Sequence, residues 1–291
     1  MRIILIYYLL EDRGSAQDIK GYIDSAKKMG HEIVVYGRSD FRSSFHYSQT
    51  INKNDAVVFI FEWTTELLRG GFLDYIRLIS KIPRERRVLI DCDGKYNNPI
   101  NFRGDINHKS KKESLDWINF CNSLTDKIFQ PTIKPLKKNV GTFFFHAYNP
   151  NWEINNNNNK KYGMCYVGNN WYRWDPMYKV LKKIKKNKGD VGRISITGHG
   201  WDRSAPWASK DTPKEAYKYD YKFIKSLDID VFPPIKFSEV IKQMNKGVFN
   251  PVIYRPLFDK LNFVTCRTYE TFAANTIPLF TYKNKSHLSI Y

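Results

Sequence analysis

The chain has 291 residues, of which 42% are hydrophobic and 26% are charged, so it is neither disordered nor collagen-like and suits one large domain or two ordinary ones. Lys and Arg outnumber Asp and Glu by 47 to 29, and the net charge of +18 favours an anionic partner: a nucleotide phosphate, a nucleic acid or an acidic membrane surface. The four cysteines lack zinc-site spacing and no apolar stretch is long enough to span a membrane, so we expect a cytoplasmic protein without a transmembrane segment.

Short apolar runs alternate with helical patterns through the first half of the chain. Residues 2–10 form a continuous apolar run, which is typical of a strand buried on both faces. Gly14 and Ser15 then precede a predicted helix at 16–29. Further strands are predicted at 31–36, 56–62, 87–91, 127–130 and 142–145, with helices around 65–82 and 112–124. This alternation predicts a parallel sheet covered by helices on both faces.

A polar segment at residues 149–161 separates this pattern from a second one. The segment contains Asn149-Pro150 and a run of five asparagines, which cannot build a core, so we interpret it as a linker. The second pattern has predicted strands at 164–167, 193–197, 230–232, 248–254 and 276–280, with helices at 177–186, 238–245 and 268–274. The sequence therefore predicts an α/β protein with two Rossmann-like, doubly wound parallel-sheet domains, 1–148 and 162–291. We expect them to face each other across a cleft that binds the ligands.

Three segments resemble a known class of enzymes. Residues 166–170, YVGNN, followed by Arg173, resemble the strand and turn that open the C-terminal domain of GT-B-type glycosyltransferases. Residues 265–280, TCRTYETFAANTIPLF, resemble the donor-site signature E-A-x-A-x-G-x-P of that class. Residues 146–150 resemble the N-G-V-D-P stretch between its domains. Within the class, the chain is most similar to the spore-maturation glycosyltransferase-like group.

The resemblance implies a glycosyltransferase that is independent of metals and cofactors. The second domain would hold a nucleoside-diphosphate sugar, and the first would hold the acceptor, a glycan or a small molecule. Glu270 would bind the ribose hydroxyls, because a carboxylate accepts two hydrogen bonds from a vicinal diol, and the helix that it opens would direct N–H groups at the diphosphate. Arg267 and Arg173 would bind phosphate oxygens. The other donor-site candidates are Gly168, Asn169, His199 and Thr268.

The chain departs from the pattern of this group in three places. Asn262 stands where many relatives have a second Glu, and Asn275 stands where the signature has Gly. The last predicted strand ends shortly before Tyr291, where relatives carry further helices. We therefore expect a C-terminal domain that is truncated relative to the group. A non-catalytic nucleotide-sugar-binding protein is the alternative to an enzyme.

Three carboxylates that follow predicted strands of the first domain are candidates for the catalytic base. Asp91 and Asp93 form a D-x-D motif before Gly94, and Glu62 ends another strand. One of them would deprotonate the acceptor hydroxyl if the reaction inverts the anomeric centre, whereas in a retaining reaction a phosphate oxygen of the leaving group can take the proton. The D-x-D motif is also compatible with an ordinary turn or with a partial metal site.

Two glycine-containing loops and one histidine allow more than one interpretation. Gly14-Ser15 lacks the G-x-G-x-x-G spacing of a dinucleotide site, so it is either a cleft loop that approaches a ligand or a tight turn. In residues 198–200, GHG, the side chain of His199 either contacts a phosphate or base or caps a neighbouring carbonyl. We interpret His146, beside the linker, as structural rather than catalytic.

Two lysine clusters, at 134–138 and 179–188, account for much of the positive charge. In the second cluster four lysines share one helix face: Lys179, Lys182, Lys183 and Lys186. This spacing is typical of a solvated helix face. The alternative is a DNA-binding surface, which would make the chain a DNA-modifying glycosyltransferase. Most aromatic residues fall at core strand positions rather than in an exposed stacking row, which favours electrostatic capture of an anionic donor or glycan.

Overall fold

The structure is a computed structural model that describes residues 1–7, 14–36, 51–62, 80–97, 111–155, 160–210 and 212–280. The chain divides into two compact units. The first contains the described residues up to Ala147, and the second contains those from Tyr148 onward. No helix in these described ranges is both long and apolar enough to cross a membrane.

The first unit contains a parallel sheet whose six described strands have the order β2-β1-β3-β4-β5-β6. The strands are β1 (Arg2–Ile6), β2 (Glu32–Tyr36), β3 (Ala56–Phe61), β4 (Arg87–Asp91), β5 (Ile128–Gln130) and β6 (Val140–Thr142). Helix α1 (Gly14–Lys28) leads from β1 to β2, and helix α2 (Lys111–Leu124) precedes β5.

Side chains of the first sheet pack on both of its faces. Ile4 and Ile6 of β1 belong to a buried cluster that includes residues of α2, whereas Leu5 belongs to a second cluster that includes residues of α1. Because successive strand residues point to opposite faces, a strand covered on both sides must be apolar at every position. Burial of β1 on both faces therefore explains the continuous apolar run at the start of the sequence.

The second unit contains a parallel sheet whose five described strands have the order β11-β10-β7-β8-β9. The strands are β7 (Tyr162–Val167), β8 (Ile194–Thr197), β9 (Ile229–Phe232), β10 (Gly247–Pro251) and β11 (Ile277–Leu279). The helices are α3 (Trp174–Lys186), α4 (Lys188–Val191), α5 (Tyr221–Ser226), α6 (Phe237–Asn245), α7 (Pro256–Leu261) and α8 (Cys266–Ala273).

Helices also cover both faces of the second sheet. On one face, Met177, Leu181 and Ile184 of α3 pack in a cluster with strand residues such as Ile194. On the other face, α6 and the end of α8 pack against Val167. The predicted pair of parallel-sheet α/β domains is therefore confirmed.

Several element boundaries differ from the predictions. Strand β1 ends at Ile6, and β6 lies at Val140–Thr142 rather than at 142–145. Helices α5 and α7 were not predicted, since each is only six residues long. Most of the helix predicted around 65–82 and much of the asparagine run in the predicted linker lie outside the described residues.

Two asparagines end helices of the second unit with left-handed backbone. Asn262 follows α7 with a φ of 53°, and Asn275 lies just after α8 with a φ of 51°. Asparagine tolerates this conformation better than most side chains do, which is why it can replace glycine at a helix C-terminus. Asn275 can therefore form this turn although it is not glycine.

Candidate functional site

The carboxyl ends of neighbouring strands bring polar residues together in the first unit. Tyr7 directly follows β1, Glu62 directly follows β3, and Asp93 lies two residues beyond β4. The strands β1, β3 and β4 are adjacent in the sheet, so these residues meet at one edge. Ser15 and Asp18 from the first turns of α1, and His146 beyond β6, complete the set. We call these six residues the acidic edge.

Hydrogen bonds link the acidic edge into a network around Glu62. The Tyr7 hydroxyl lies 2.8 Å from Ser15 Oγ and 2.8 Å from Glu62 Oε2. His146 Nδ1 lies 2.7 Å from Asp18 Oδ2, while His146 Nε2 lies 3.9 Å from Glu62 Oε1. Both His146 and Asp18 are at least nine-tenths buried. The imidazole is therefore held between two carboxylates, one on each ring nitrogen.

The environment of Glu62 raises the pKa of its carboxyl group. Burial is the main cause, and the negative charge of Asp93 adds to it, whereas His146, Ser15 and Tyr7 oppose the increase. Burial and the charge of Glu62 also raise the pKa of the Tyr7 hydroxyl. A carboxylate with a raised pKa is a better proton acceptor than one on the surface. The raised pKa of Glu62 is compatible with a role as a proton acceptor at this edge.

The Asp91 side chain accepts hydrogen bonds from the loop that follows it. The side chain has no exposed surface, and its Oδ1 accepts from the Lys95 backbone N–H at 2.9 Å. Its Oδ2 accepts from the Tyr96 backbone N–H and from Gln130 Nε2, both at 2.8 Å. Burial raises the pKa of Asp91 to about 6 although these hydrogen bonds oppose the increase. This geometry favours a role for Asp91 in holding the loop, and leaves Asp93, which is partly exposed, as the other half of the motif that can contact a ligand.

The second unit has a different set of residues at the carboxyl ends of its strands. Gly168 directly follows β7, and Gly198 directly follows the neighbouring strand β8. Gly198 has a φ of 141°, and a Cβ atom there would lie 2.4 Å from the carbonyl oxygen of Gly168. Only glycine fits such a contact. The glycine therefore serves the packing of two loops against each other.

Further hydrogen bonds join the loops after β7 and β8. The His199 backbone N–H donates to Asn169 Oδ1 at 2.9 Å, and Trp201 Nε1 donates to the Gly168 carbonyl oxygen at 2.8 Å. The His199 ring packs edge-on against Trp207, with 5.6 Å between ring centroids. His199 and Asn169 are partly exposed, so both remain able to contact a ligand at this edge.

Three arginines lie near one another at the same edge of the second unit. Arg173 precedes α3, Arg255 precedes α7, and Arg267 lies in the first turn of α8. Burial lowers the pKa of Arg173, and the positive charges of Arg255 and Arg267 lower it further. A guanidinium whose pKa is lowered by like charges is close to them. We call these three residues the arginine edge.

Glu270 is the counter-ion of Arg267. Its Oε2 lies 2.7 Å from Arg267 Nη1, and its side chain is 2% exposed. Burial acts to lower the pKa of Arg267, but the Glu270 carboxylate is the main cause of a net increase. The prediction that Glu270 opens its helix is wrong, because α8 begins at Cys266 and Glu270 lies in the second turn. Thr268 is also buried, with its Oγ1 3.2 Å from the Tyr254 hydroxyl.

The cleft-loop residues of the first unit have defined positions. Gly14 is the first residue of α1, and Ser15 is buried with its hydroxyl bonded to Tyr7. In the described ranges no group of three or more His, Cys, Asp or Glu is placed to hold a metal ion. Metal independence stays a prediction.

The fold that carries these two edges has known structural neighbours. An alpha-glucosyltransferase in complex with UDP and a 13-mer DNA containing an HMU base has a TM-score of 0.61 and 16% identity, over 98% of this chain and 80% of that chain. The T4 phage beta-glucosyltransferase has a TM-score of 0.55 and 12% identity, over 100% of this chain and 82% of that chain. An alpha-glucosyltransferase with UDP-glucose and DNA containing an abasic site has a TM-score of 0.59 and 14% identity, over 98% and 80%.

These likenesses establish the GT-B fold for this chain and confirm that part of the resemblance seen in its sequence. No protein-family model matches the sequence, and no curated protein matches it either. The narrower likeness to the spore-maturation group therefore has no support from these comparisons.

The structure adds residues that sequence reasoning missed. Tyr7, Asp18 and Arg255 were not singled out, and His146 was interpreted as structural. Asp18 and His146 are 128 positions apart, so no local spacing indicates their contact. Tyr7 gave one usable signal, because it is a polar side chain at the end of an apolar strand.

Proposed function

We propose that this chain is a glycosyltransferase that moves a sugar from a nucleoside diphosphate to an acceptor hydroxyl. The arginine edge is the observation that carries the proposal. Three guanidinium groups lie near one another, and within the described residues only Arg267 forms an ion pair with a carboxylate, that of Glu270, so most of their charge is uncompensated. A diphosphate supplies the missing negative charge and accepts paired hydrogen bonds from arginine. Structural neighbours solved with UDP and UDP-glucose support this choice of donor.

In the proposed reaction the arginine edge stabilises the leaving group. The bond between the anomeric carbon and the diphosphate oxygen breaks, and negative charge grows on that oxygen. Arg173 and Arg267 would hold this charge in a partly buried environment, which is typically worth several kcal/mol, about 3, in the transition state. Glu270 would act by orienting Arg267, because its carboxylate is occupied and buried in this structure. We propose this indirect role in place of a direct contact with ribose.

Glu62 is the proposed general base for an inverting transfer. Its carboxylate would take the proton of the acceptor hydroxyl while the acceptor oxygen forms its bond to the anomeric carbon. His146 would fix the position of Glu62 and is itself fixed by Asp18. Asp93 would contact the acceptor, since it is partly exposed and near Glu62.

DNA is the acceptor that we favour over a glycan or a small molecule. Two observations support it. Neighbours include a DNA modifying enzyme, a beta-glucosyltransferase, and alpha-glucosyltransferases in complex with DNA. The net charge of +18 also suits a polyanionic acceptor. The acceptor hydroxyl would then belong to a modified base.

The proposal is tested with the full-length protein by calorimetry and a transfer assay. We expect UDP to bind and UDP-glucose to be consumed when DNA containing hydroxymethylated bases is present, with and without a chelator of divalent metals. Binding of UDP without turnover on DNA, glycan or small-molecule acceptors would favour the alternative, a non-catalytic nucleotide-sugar-binding protein. No binding of any nucleoside diphosphate would refute the proposed function.

A further inference from the structure

An open groove of about 790 Å³ lies on the second unit, between the start of α3 and the segment that leads into α5. Its walls include four aromatic side chains: Trp174, Tyr178, Tyr219 and Tyr221. Tyr178 packs on Phe223 with 4.7 Å between ring centroids, which fixes the inner wall. Tyr221 is 51% exposed, so its ring is available to another molecule. The groove therefore offers a flat ring surface to a ligand.

The two helices beside this groove carry exposed lysines, one of which, Lys222, lines it. The exposed lysines of α3 and α5 are Lys179, Lys182, Lys183, Lys185, Lys186, Lys222 and Lys225. We call them the lysine surface. The helices lie side by side, since Lys185 Nζ contacts Ser226 Oγ at 3.2 Å and lies 5.4 Å from the Phe223 ring centroid. In the described part of the chain, none of the seven forms an ion pair with a carboxylate.

Both acidic residues of the groove are engaged in local contacts. Asp175 forms an ion pair with Lys218, at 2.9 Å. Asp220 accepts a hydrogen bond at 2.9 Å from the Phe223 backbone N–H and thereby caps α5. The groove and the lysine surface together carry an excess of positive charge beside an exposed aromatic ring. A nucleic acid strand, with phosphates at regular intervals and bases between them, matches that arrangement.

We propose that the groove and the lysine surface bind single-stranded DNA, with phosphates on the lysines and an unstacked base against Tyr221. The biological role of this strand as part of the acceptor rests on the proposed function, whereas its binding does not. An acidic membrane would use the same lysines, but it gives no reason for an aromatic groove between them.

The first experiment measures the salt dependence of binding to a fluorescent DNA strand of about 12 nucleotides, within the usual site size. The variant replaces Lys179, Lys182 and Lys186 by Gln, and the control replaces Lys27, Lys28 and Lys53, exposed lysines of the first unit, by Gln. Each lost phosphate contact lowers the slope of log affinity against log salt by about 0.7, so we expect a decrease of about 2 in the variant and none in the control.

The second experiment tests the aromatic part of the site. Tyr221→Ala should weaken binding of the same strand about fivefold or more, because stacking of one base on an aromatic side chain is worth at least that much. Tyr148→Ala is the matched control, since Tyr148 is 41% exposed and lies outside the groove. Calorimetry with UDP on each variant shows whether the donor site is intact.

The outcomes separate this inference from the proposed function. Loss of DNA binding in the groove and lysine variants, with unchanged UDP affinity, supports the inference. Equal loss in the controls, or binding to vesicles with anionic lipid but not to DNA, overturns it and leaves the transferase proposal in place. Failure to bind UDP would count against the transferase alone.

Discussion

The two units have the same architecture but opposite charges at the carboxyl ends of their strands. The acidic edge places Asp18 and Glu62 on either side of one imidazole, whereas the arginine edge brings three guanidinium groups together and pairs one of them, Arg267, with Glu270. Both edges arise in the same way, because loops after parallel strands converge at one side of a sheet. The fold thus determines where a site lies, and the residues that follow each strand determine its chemistry.

This contrast divides the proposed reaction into two tasks. The raised pKa values of Glu62 and Tyr7 suit side chains that accept and donate protons. The pKa of Arg173 is lowered by burial and by the positive charges of Arg255 and Arg267, as expected in a cluster with more guanidinium groups than carboxylates. If the division is correct, substitutions at the two edges will affect different kinetic quantities. The three predictions that follow test it, in order of decreasing effect.

Glu62→Gln should lower kcat by about two to four orders of magnitude, the usual contribution of a general base, because the amide cannot take a proton. The affinity for UDP, measured by calorimetry, should not change. Glu85→Gln is the control, since Glu85 is an exposed carboxylate in a short turn of the same unit. An unaltered kcat in the Glu62 variant would remove the base from the proposed mechanism.

Arg173→Ala should weaken UDP binding about ten- to hundredfold, the loss expected for hydrogen bonds to a charged group. Arg193→Ala is the control, because Arg193 precedes β8 at the opposite end of the same sheet and forms an exposed ion pair with Asp230. Calorimetry on both variants measures the effect. If both variants lost the same UDP affinity, the arginine edge would act through its overall positive charge rather than as a specific binding site.

His146→Asn should move the acidic limb of the pH profile of kcat/KM to higher pH. The positive charge of His146 lowers the pKa of Glu62, so its loss lets that pKa rise further above the ordinary value. Glu62 must be ionised to act as a base, and a higher pKa means that activity is lost at a higher pH as the solution is acidified. An Asn side chain retains a donor near Asp18.

The matched control for that profile is His31→Asn, because His31 lies at the opposite end of the first sheet beside Met1. Its profile should superimpose on that of the wild type. A shift to lower pH in the His146 variant would contradict the assigned effect of the imidazole on Glu62.

The sequence predicted the fold well and the site only in part, for a physical reason. Runs such as the one that became β1 are long enough for their periodicity to identify buried strands, and this signal is local. Glu62 and Asp91 gave the same signal, a carboxylate at the end of a strand. They differ because the loop beyond Asp91 folds back onto both of its oxygens, and that depends on Gln130, far along the chain.

Long-range pairs were beyond sequence reasoning for the same reason. The contact of His146 with Asp18 joins the end of the first unit to its first helix. The neighbours of Arg173 include Arg255, which no motif indicated. One assignment was wrong for another reason. Glu270 was expected at the first residue of a helix, but it lies in the second turn of α8, buried against Arg267.

The contact between Gly198 and Gly168 has a consequence for how this protein can change. With 2.4 Å between a hypothetical methyl group and a carbonyl oxygen, no ordinary side chain is admitted at position 198 without separating the two loops. Side chains next to these glycines, such as Asn169 and His199, are partly exposed and are less restricted in size. Under the proposed function, a change of donor preference would arise through those side chains, on a backbone that stays the same.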